Sequence, residues 1–215
     1  MTKPIKIDFV SDIACPWCII GLRALEAAVD QASDVVTATI TFHPFELNPD
    51  MPFEGQNVVE HVAQKYGSTP EQSAANRTGI RERAAELGFV MNGNADSRIY
   101  NSFDAHRLLH WAHILGKQAA LKNRLFEVYF TAGLNIADAD VLVAAAASVG
   151  LDAENAHTIL TSDAYADEVR GEERHWHSQG INAVPAIIIN DKYVIMGGQP
   201  IETFERALRS IAAEG

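Results

Sequence analysis

Apolar and polar positions alternate from Lys3 to Val10: Ile5, Ile7 and Phe9 fall on one side, Lys6 and Asp8 on the other. A period of two is the strand pattern, so a strand is predicted over residues 5–10. Immediately after it comes Cys15-Pro16-Trp17-Cys18, and then Ile19, Ile20, Leu22, Leu25, Ala28 and Val29 recur at helical spacing. This predicts a helix over residues 16–31. Alternation returns with β-branched residues over 35–42, giving a second strand that ends in the turn-like Pro44-Phe45-Glu46-Leu47-Asn48-Pro49.

From Gln56 to Gln179 the pattern is helical. Val58, Val59, Val62 and Tyr66 form an apolar stripe that stops at Gly67, and Thr69-Pro70-Glu71-Gln72 has the form of a capping box with proline at the first helical position. A helix therefore starts at Pro70 and stops near Gly88. Further helices are predicted over 102–115, 117–132, 138–149, 152–160 and 163–179, most of them punctuated by Gly116, Gly133, Gly150 or Gly180.

Beyond Gly180 the strand pattern resumes at 186–189, turns at Asn190-Asp191 and pairs back over 193–196. The chain closes on an amphipathic helix over 201–212, with Ile201, Phe204, Leu208 and Ile211 on its apolar face. The order is β-α-β, a helical block, then β-β-α. This is an α/β fold in which one sheet is assembled from both ends of the chain: residues 1–50 and 180–215 form one unit and 51–179 an all-helical insertion.

Composition narrows the picture. The chain has 215 residues, 47% hydrophobic and 21% charged, enough to bury a sizeable core. Its net charge of −11 repels phosphate backbones and anionic headgroups, which argues against nucleic-acid and membrane partners. The apolar run at 141–149 is too short to span a bilayer. Met1-Thr2-Lys3-Pro4 enters the first strand without a leader pattern, so a cytoplasmic location is expected.

Only two cysteines occur, Cys15 and Cys18, too few for a disulfide scaffold. Cys15 falls between a strand end and a helix start, where unpaired backbone N–H groups and the positive end of the helix dipole favour a thiolate. Pro16 suits the first helical position because its missing N–H would be unpaired anyway. Cys18 sits one turn in, better shielded. This arrangement predicts that Cys15 attacks and Cys18 resolves the mixed disulfide. Half a zinc site would need two more ligands, and no second cysteine pair supplies them. Val184-Pro185 lies just before a strand. It reads either as an ordinary strand-initiating proline or, if the bond is cis, as a loop whose free Val184 backbone faces an extended substrate.

Other candidates carry weaker signals. His106, His110 and His113 share one helical face among core-like residues, so packing and hydrogen bonding are expected, with His106 also a candidate for the substrate groove. No carboxylate motif accompanies them, and no metal site is expected. His175 and His177 flank Trp176 and face apart, into solvent. Asp12 suits a turn cap, or a group that opposes the thiolate or relays a proton. Trp17 is either a substrate contact beside the sulfurs or a hydrophobic cover. Gly197-Gly198-Gln199 precedes a helix start, where backbone N–H groups could hold a carboxylate such as that of glutathione, or make a plain turn.

Taken together, Ile7-Asp8-Phe9-Val10-Ser11-Asp12 leading into Cys15-Pro16-Trp17-Cys18, then Pro44 to Pro49, Asn101 to Leu108, Gly180 to Pro185 and Gly197-Gly198-Gln199-Pro200, resemble the DsbA-type thioredoxin family, in particular its cytosolic FrnE-like branch. The resemblance covers nearly the whole chain. It implies a thioredoxin-like fold with a helical insertion, a redox-active dithiol at Cys15 and Cys18, and a cis-proline loop at Pro185. Pro16, Trp17, Val184, His106, Gly198 and Gln199 are then expected to line the substrate site. The expected partners are disulfide-containing proteins or small-molecule thiols. No tightly bound cofactor is expected, glutathione is a candidate co-substrate, and a monomer or homodimer is expected. The related kappa-class glutathione transferases and 2-hydroxychromene-2-carboxylate isomerases typically have serine where this chain has Cys15. They supply the alternative reading, a glutathione-dependent transferase or isomerase.

Overall fold

The computed structural model describes residues 2–214; Met1, where the sequence reading begins, and Gly215, where the outer unit ends, lie outside the described residues. The chain runs through β1 (Lys3–Ser11), α1 (Pro16–Gln31) and β2 (Val36–Pro44). The insertion follows as β3 (Gln56–Asn57), α2 (Val58–Tyr66), α3 (Pro70–Glu86), β4 (Arg98–Ile99), α4 (Phe103–Ile114), α5 (Gln118–Phe126), α6 (Ala139–Ser148), α7 (Ala153–Leu160) and α8 (Ala166–Ser178). The sheet is completed by β5 (Ala186–Ile189) and β6 (Tyr193–Met196), and α9 (Ile201–Ala213) ends the chain.

The main sheet has the order β2-β1-β5-β6. β1 runs parallel to β2, which requires the α1 crossover, and antiparallel to β5; β5 and β6 form the expected hairpin. Its turn residues Asn190 and Asp191 both take positive φ, 52° and 55°, as a tight two-residue hairpin turn demands. This is the thioredoxin-like sheet with its helical insertion.

β1 is central, and both of its faces are covered. Ile7 and Phe9 join Ile187 and Ile189 in a core shared with α1, α9 and the insertion, whereas Val10, Ala186 and Ile188 pack with Phe45, Trp176 and Ile181 on the other side. The period-two pattern thus sorts residues between two buried layers. It does not separate core from solvent: Asp8, opposite Ile7, is buried and bonded to His43 and Lys6.

The insertion docks on the free edge of β2. Gln118 at the start of α5 accepts from the Phe42 N–H (3.0 Å) and donates to the Phe42 carbonyl (2.8 Å), pairing the backbone groups that this edge strand turns away from β1. Leu108, Leu121, Leu125 and Phe126 then continue the sheet's own apolar core into the insertion.

Several boundaries differ from the sequence reading for tertiary reasons. The helix expected from residue 163 begins at Ala166, because the buried Arg107 gathers the carbonyls of Ile159, Ser162 and Ala164 and holds that stretch out of helix. The helix expected over 117–132 widens into a π-helical turn at Glu127–Thr131, closed by the Ala132 N–H to the Glu127 carbonyl. The strand expected to stop at 42 runs to Pro44, where it still pairs with Ser11. The helical block also contains the short β3–β4 pairing, which no period could announce. α2 forms as expected, yet its apolar stripe is only half-buried and Tyr66 is exposed. Thr69 and Gln72 form the predicted capping box.

Candidate redox site

Cys15 is the N-cap of α1, with φ −94° and ψ 114°, and Pro16 occupies the first turn. The Cys15 N–H donates to the Asp12 carbonyl (3.3 Å), and the Cys18 N–H to the Cys15 carbonyl (3.1 Å). Both cysteines are free thiols. They are unequal: Cys15 keeps 4% of its surface exposed, Cys18 none, while Trp17 between them is 43% exposed. Burial pushes the Cys18 thiol well above its ordinary value, and its hydrogen bond with the Cys15 sulfur holds the proton further; the charge of Lys122 pulls the other way. Both thiols are buried, and of the two only Cys15 keeps any exposed surface.

The loop from the far end of the chain closes over the pair. Val184-Pro185 is a cis peptide. The Val184 carbonyl lies 3.8 Å from the Cys15 sulfur, and among the described residues the Val184 N–H has no hydrogen-bond partner. Two glycines let this loop and the β6–α9 connection approach α1. A Cβ on Gly21 would stand 3.1 Å from Pro185 Cγ and 3.3 Å from Gly198 Cα; one on Gly198 would stand 3.0 Å from the Trp17 carbonyl oxygen. Gly198 is thus a close-approach residue against the first turn of α1. Gln199 folds back, its amide donating to the Met196 carbonyl (2.8 Å).

Asp12 is a buried carboxylate that ties two loops together. Its oxygens accept from the Ala14 N–H (3.0 Å) and the Leu47 N–H (2.7 Å). Burial alone would raise its pKa, but His106 and the Leu47 N–H outweigh that and hold it below the usual carboxylate range. This is the turn-capping role, extended to the loop after β2. His106 lies behind Asp12, its Nε2 3.7 Å from Asp12 Oδ1, and is buried. It also lines the cavity that His43 and His110 line. His110 bonds to Glu172, which also holds His43 against Asp8. His175 and His177 are exposed, as expected.

One residue near the dithiol escaped the sequence reading. Lys122 of α5 is fully buried, and its Nζ has no hydrogen-bond partner among the described residues. The signal was present: Lys122 falls inside the stripe of Leu121, Leu125 and Phe126, where a solvated lysine does not belong.

Residues 6–209 match the family described as the DSBA-like thioredoxin domain. The uncharacterized protein YwbO of Bacillus subtilis is 31% identical over 210 residues, spanning 97% of this chain and 96% of that protein. The crystal structure of a probable DsbA oxidoreductase from Streptomyces coelicolor has TM-score 0.93 at 33% identity, covering 98% of this chain and 91% of that one. The cytosolic disulfide reductase DsbM from Pseudomonas aeruginosa, in a structure with GSH, shares the fold with TM-score 0.65 at 17% identity, over 97% of this chain and 99% of that one. Among the described residues no helix is long and apolar enough to cross a membrane. With nearly its whole length matched, the chain belongs to the DSBA-like thioredoxin domain family and is an enzyme of the thiol–disulfide oxidoreductase kind.

Proposed function

We propose that the protein exchanges disulfides with proteins or small-molecule thiols in the cytoplasm, with Cys15 as nucleophile, Cys18 as resolving thiol and glutathione as a co-substrate. The observation that carries this reading is the unequal pair at the start of α1, facing the unpaired Val184 backbone. The Cys15 thiolate attacks a substrate disulfide; one substrate sulfur leaves as thiolate and the other stays bonded to Cys15. Cys18 then attacks the Cys15 sulfur, forming the Cys15–Cys18 disulfide and releasing the second thiol. The reverse sequence oxidises a dithiol substrate.

Pro16, Trp17, Val184 and Pro185 surround the attacked sulfur. Exposed Trp17 offers an apolar face to the substrate, and the Val184 N–H and carbonyl offer strand-like bonds to an extended backbone. A glutathione molecule is itself a short peptide and fits the same description; GSH in the structure of the similarly folded DsbM supports it as co-substrate. That protein's description as cytosolic, and a chain whose only cysteines are the dithiol, support the cytoplasmic location. The protein acts as a monomer or a homodimer in this reading. Turnover of a protein disulfide with glutathione or dithiothreitol as reductant tests the reading. Activity should vanish in Cys15→Ser, and unchanged activity in that variant would end it.

A further inference from the structure

A buried lysine ammonium without a hydrogen bond costs several kcal/mol, so Lys122 needs a reason to be where it is. Its placement is firm. The Gln118 clamp on Phe42 fixes the start of α5, and one turn later Lys122 Nζ sits 5.9 Å from the centre of the Phe42 ring and 5.2 Å from that of Phe126. It also lines a cavity of about 610 Å³ that extends past His106 and His43 to the exposed Lys6 and Asp191 at the surface. Among the groups from the surrounding elements that face it or share that cavity are Cys15 and Cys18 at the start of α1, Asp12 from the loop before α1, Asp8 from β1, His43 from β2, His106, His110 and His113 from α4, and Glu168, Glu172 and His175 from α8.

We propose that Lys122 is the base that takes the Cys18 proton when the mixed disulfide resolves, and that the cavity beside it returns that proton to solvent. The proposal rests on the dithiol reading and assigns the one step that reading leaves open, because a fully buried thiol cannot ionise without somewhere for its proton to go. Burial lowers Lys122 to about 8, while Cys18, Asp12 and Cys15 pull it back up. A base with that value is well matched to neutral pH. The neutral Lys122 amine accepts the proton of the Cys18 thiol through an intervening water. The Cys18 thiolate attacks the Cys15 sulfur, the Cys15–substrate bond breaks, and the substrate leaves as a thiolate that is protonated by solvent. Lys122 then loses its proton by way of the cavity. In the oxidising direction the same ammonium protonates Cys18 as it leaves.

The test uses chromogenic dithio-bis-nitrobenzoate, which releases one coloured thiolate when Cys15 attacks and a second when Cys18 resolves. In the wild type the second release should rise with an inflection near pH 8. Asp12 and Glu172, both held below the usual carboxylate range, stay ionised there and add no inflection. Lys122→Met should slow the second release relative to the first by at least about tenfold at pH 7 and remove the inflection. Lys122→Arg, which keeps the charge but cannot accept a proton, should behave as Lys122→Met does. Equal second-step rates and profiles in wild type and Lys122→Met would overturn the proposal, and so would full rescue by arginine. Should the variants fail to fold, carbon NMR of the wild-type Lys122 side chain decides. Its titration should fall to lower pH when the dithiol is oxidised, since the interactions with Cys18 and Cys15 that pull its value up are gone; an unchanged titration would overturn the assignment. No first release from the wild type would overturn the dithiol reading itself, and this proposal with it.

Discussion

The sulfur of Cys15 lies 3.8 Å from the carbonyl oxygen of Val184, a residue 169 positions further along the chain. The whole helical insertion separates the two in sequence, and the sheet brings them together: β1 leads into Cys15, β5 follows Val184, and the strands pair antiparallel with Val10 opposite Ala186. The redox site is therefore a property of the closed sheet. Anything that holds the two loops apart should impair exchange even with both thiols intact.

The different burial of the two cysteines predicts different trapping behaviour. Cys18→Ser should accumulate a mixed disulfide with substrate at Cys15, since attack can occur and resolution cannot. Cys15→Ser should form almost none with the fully buried Cys18. Mass spectrometry after acid quenching checks this. Equal trapping by the two variants would contradict the assigned roles.

Gly198→Ala places a methyl 3.0 Å from the Trp17 carbonyl oxygen. Neither the first turn of α1 nor the loop can yield easily. The substitution should cost about 1–3 kcal/mol in urea denaturation, as overpacking typically does. It should also lower the exchange rate more than this loss of stability explains, because the groups the methyl meets are the Trp17 carbonyl and ring, between the two cysteines.

Much of this was readable along the chain because the signals are local. The capping box at Thr69 and Gln72, the turn at Asn190 and Asp191, and the strand–dithiol–helix order of residues 3–31 each depend on neighbours within a few positions. What escaped depends on distant partners. Nothing near residue 163 says that the Arg107 guanidinium will take the carbonyls of Ile159, Ser162 and Ala164, and nothing near Phe42 announces Gln118. His106 shares a face with His110 and His113, but only the packed structure shows that it points at Asp12 from inside.

Arg107 supplies a third prediction. It is buried, donates to one carbonyl in the last turn of α7 and two of the α7–α8 connection, and bonds to Asp104 at 2.7 Å. Arg107→Met leaves those carbonyls without their donor and should cost about 3 kcal/mol. Hydrogen exchange should quicken first around residues 159–166. A uniform loss across the chain would contradict a local anchoring role.

Glu46, one residue before the Asp12–Leu47 bond, gives a pH prediction. Burial first, then the charge of Glu173, lift its pKa from 4.5 to about 7 against the pull of Arg170. A carboxyl raised on folding contributes stability that is fully present below 4.5 and is lost as pH rises through about 7. Glu46→Gln should therefore gain about 1–2 kcal/mol over wild type at pH 8 and much less at pH 5, read from paired urea titrations. A difference independent of pH would contradict the raised value.

The most direct test of the central claim is an equilibrium redox titration of Cys15 and Cys18 in thiol buffers, with the free thiols alkylated and weighed. A thiol–disulfide exchange centre should titrate as one two-electron couple, both thiols changing together, with a potential between roughly −120 and −270 mV. Two thiols that alkylate independently, or a pair that never closes to a disulfide across that span, would contradict the account.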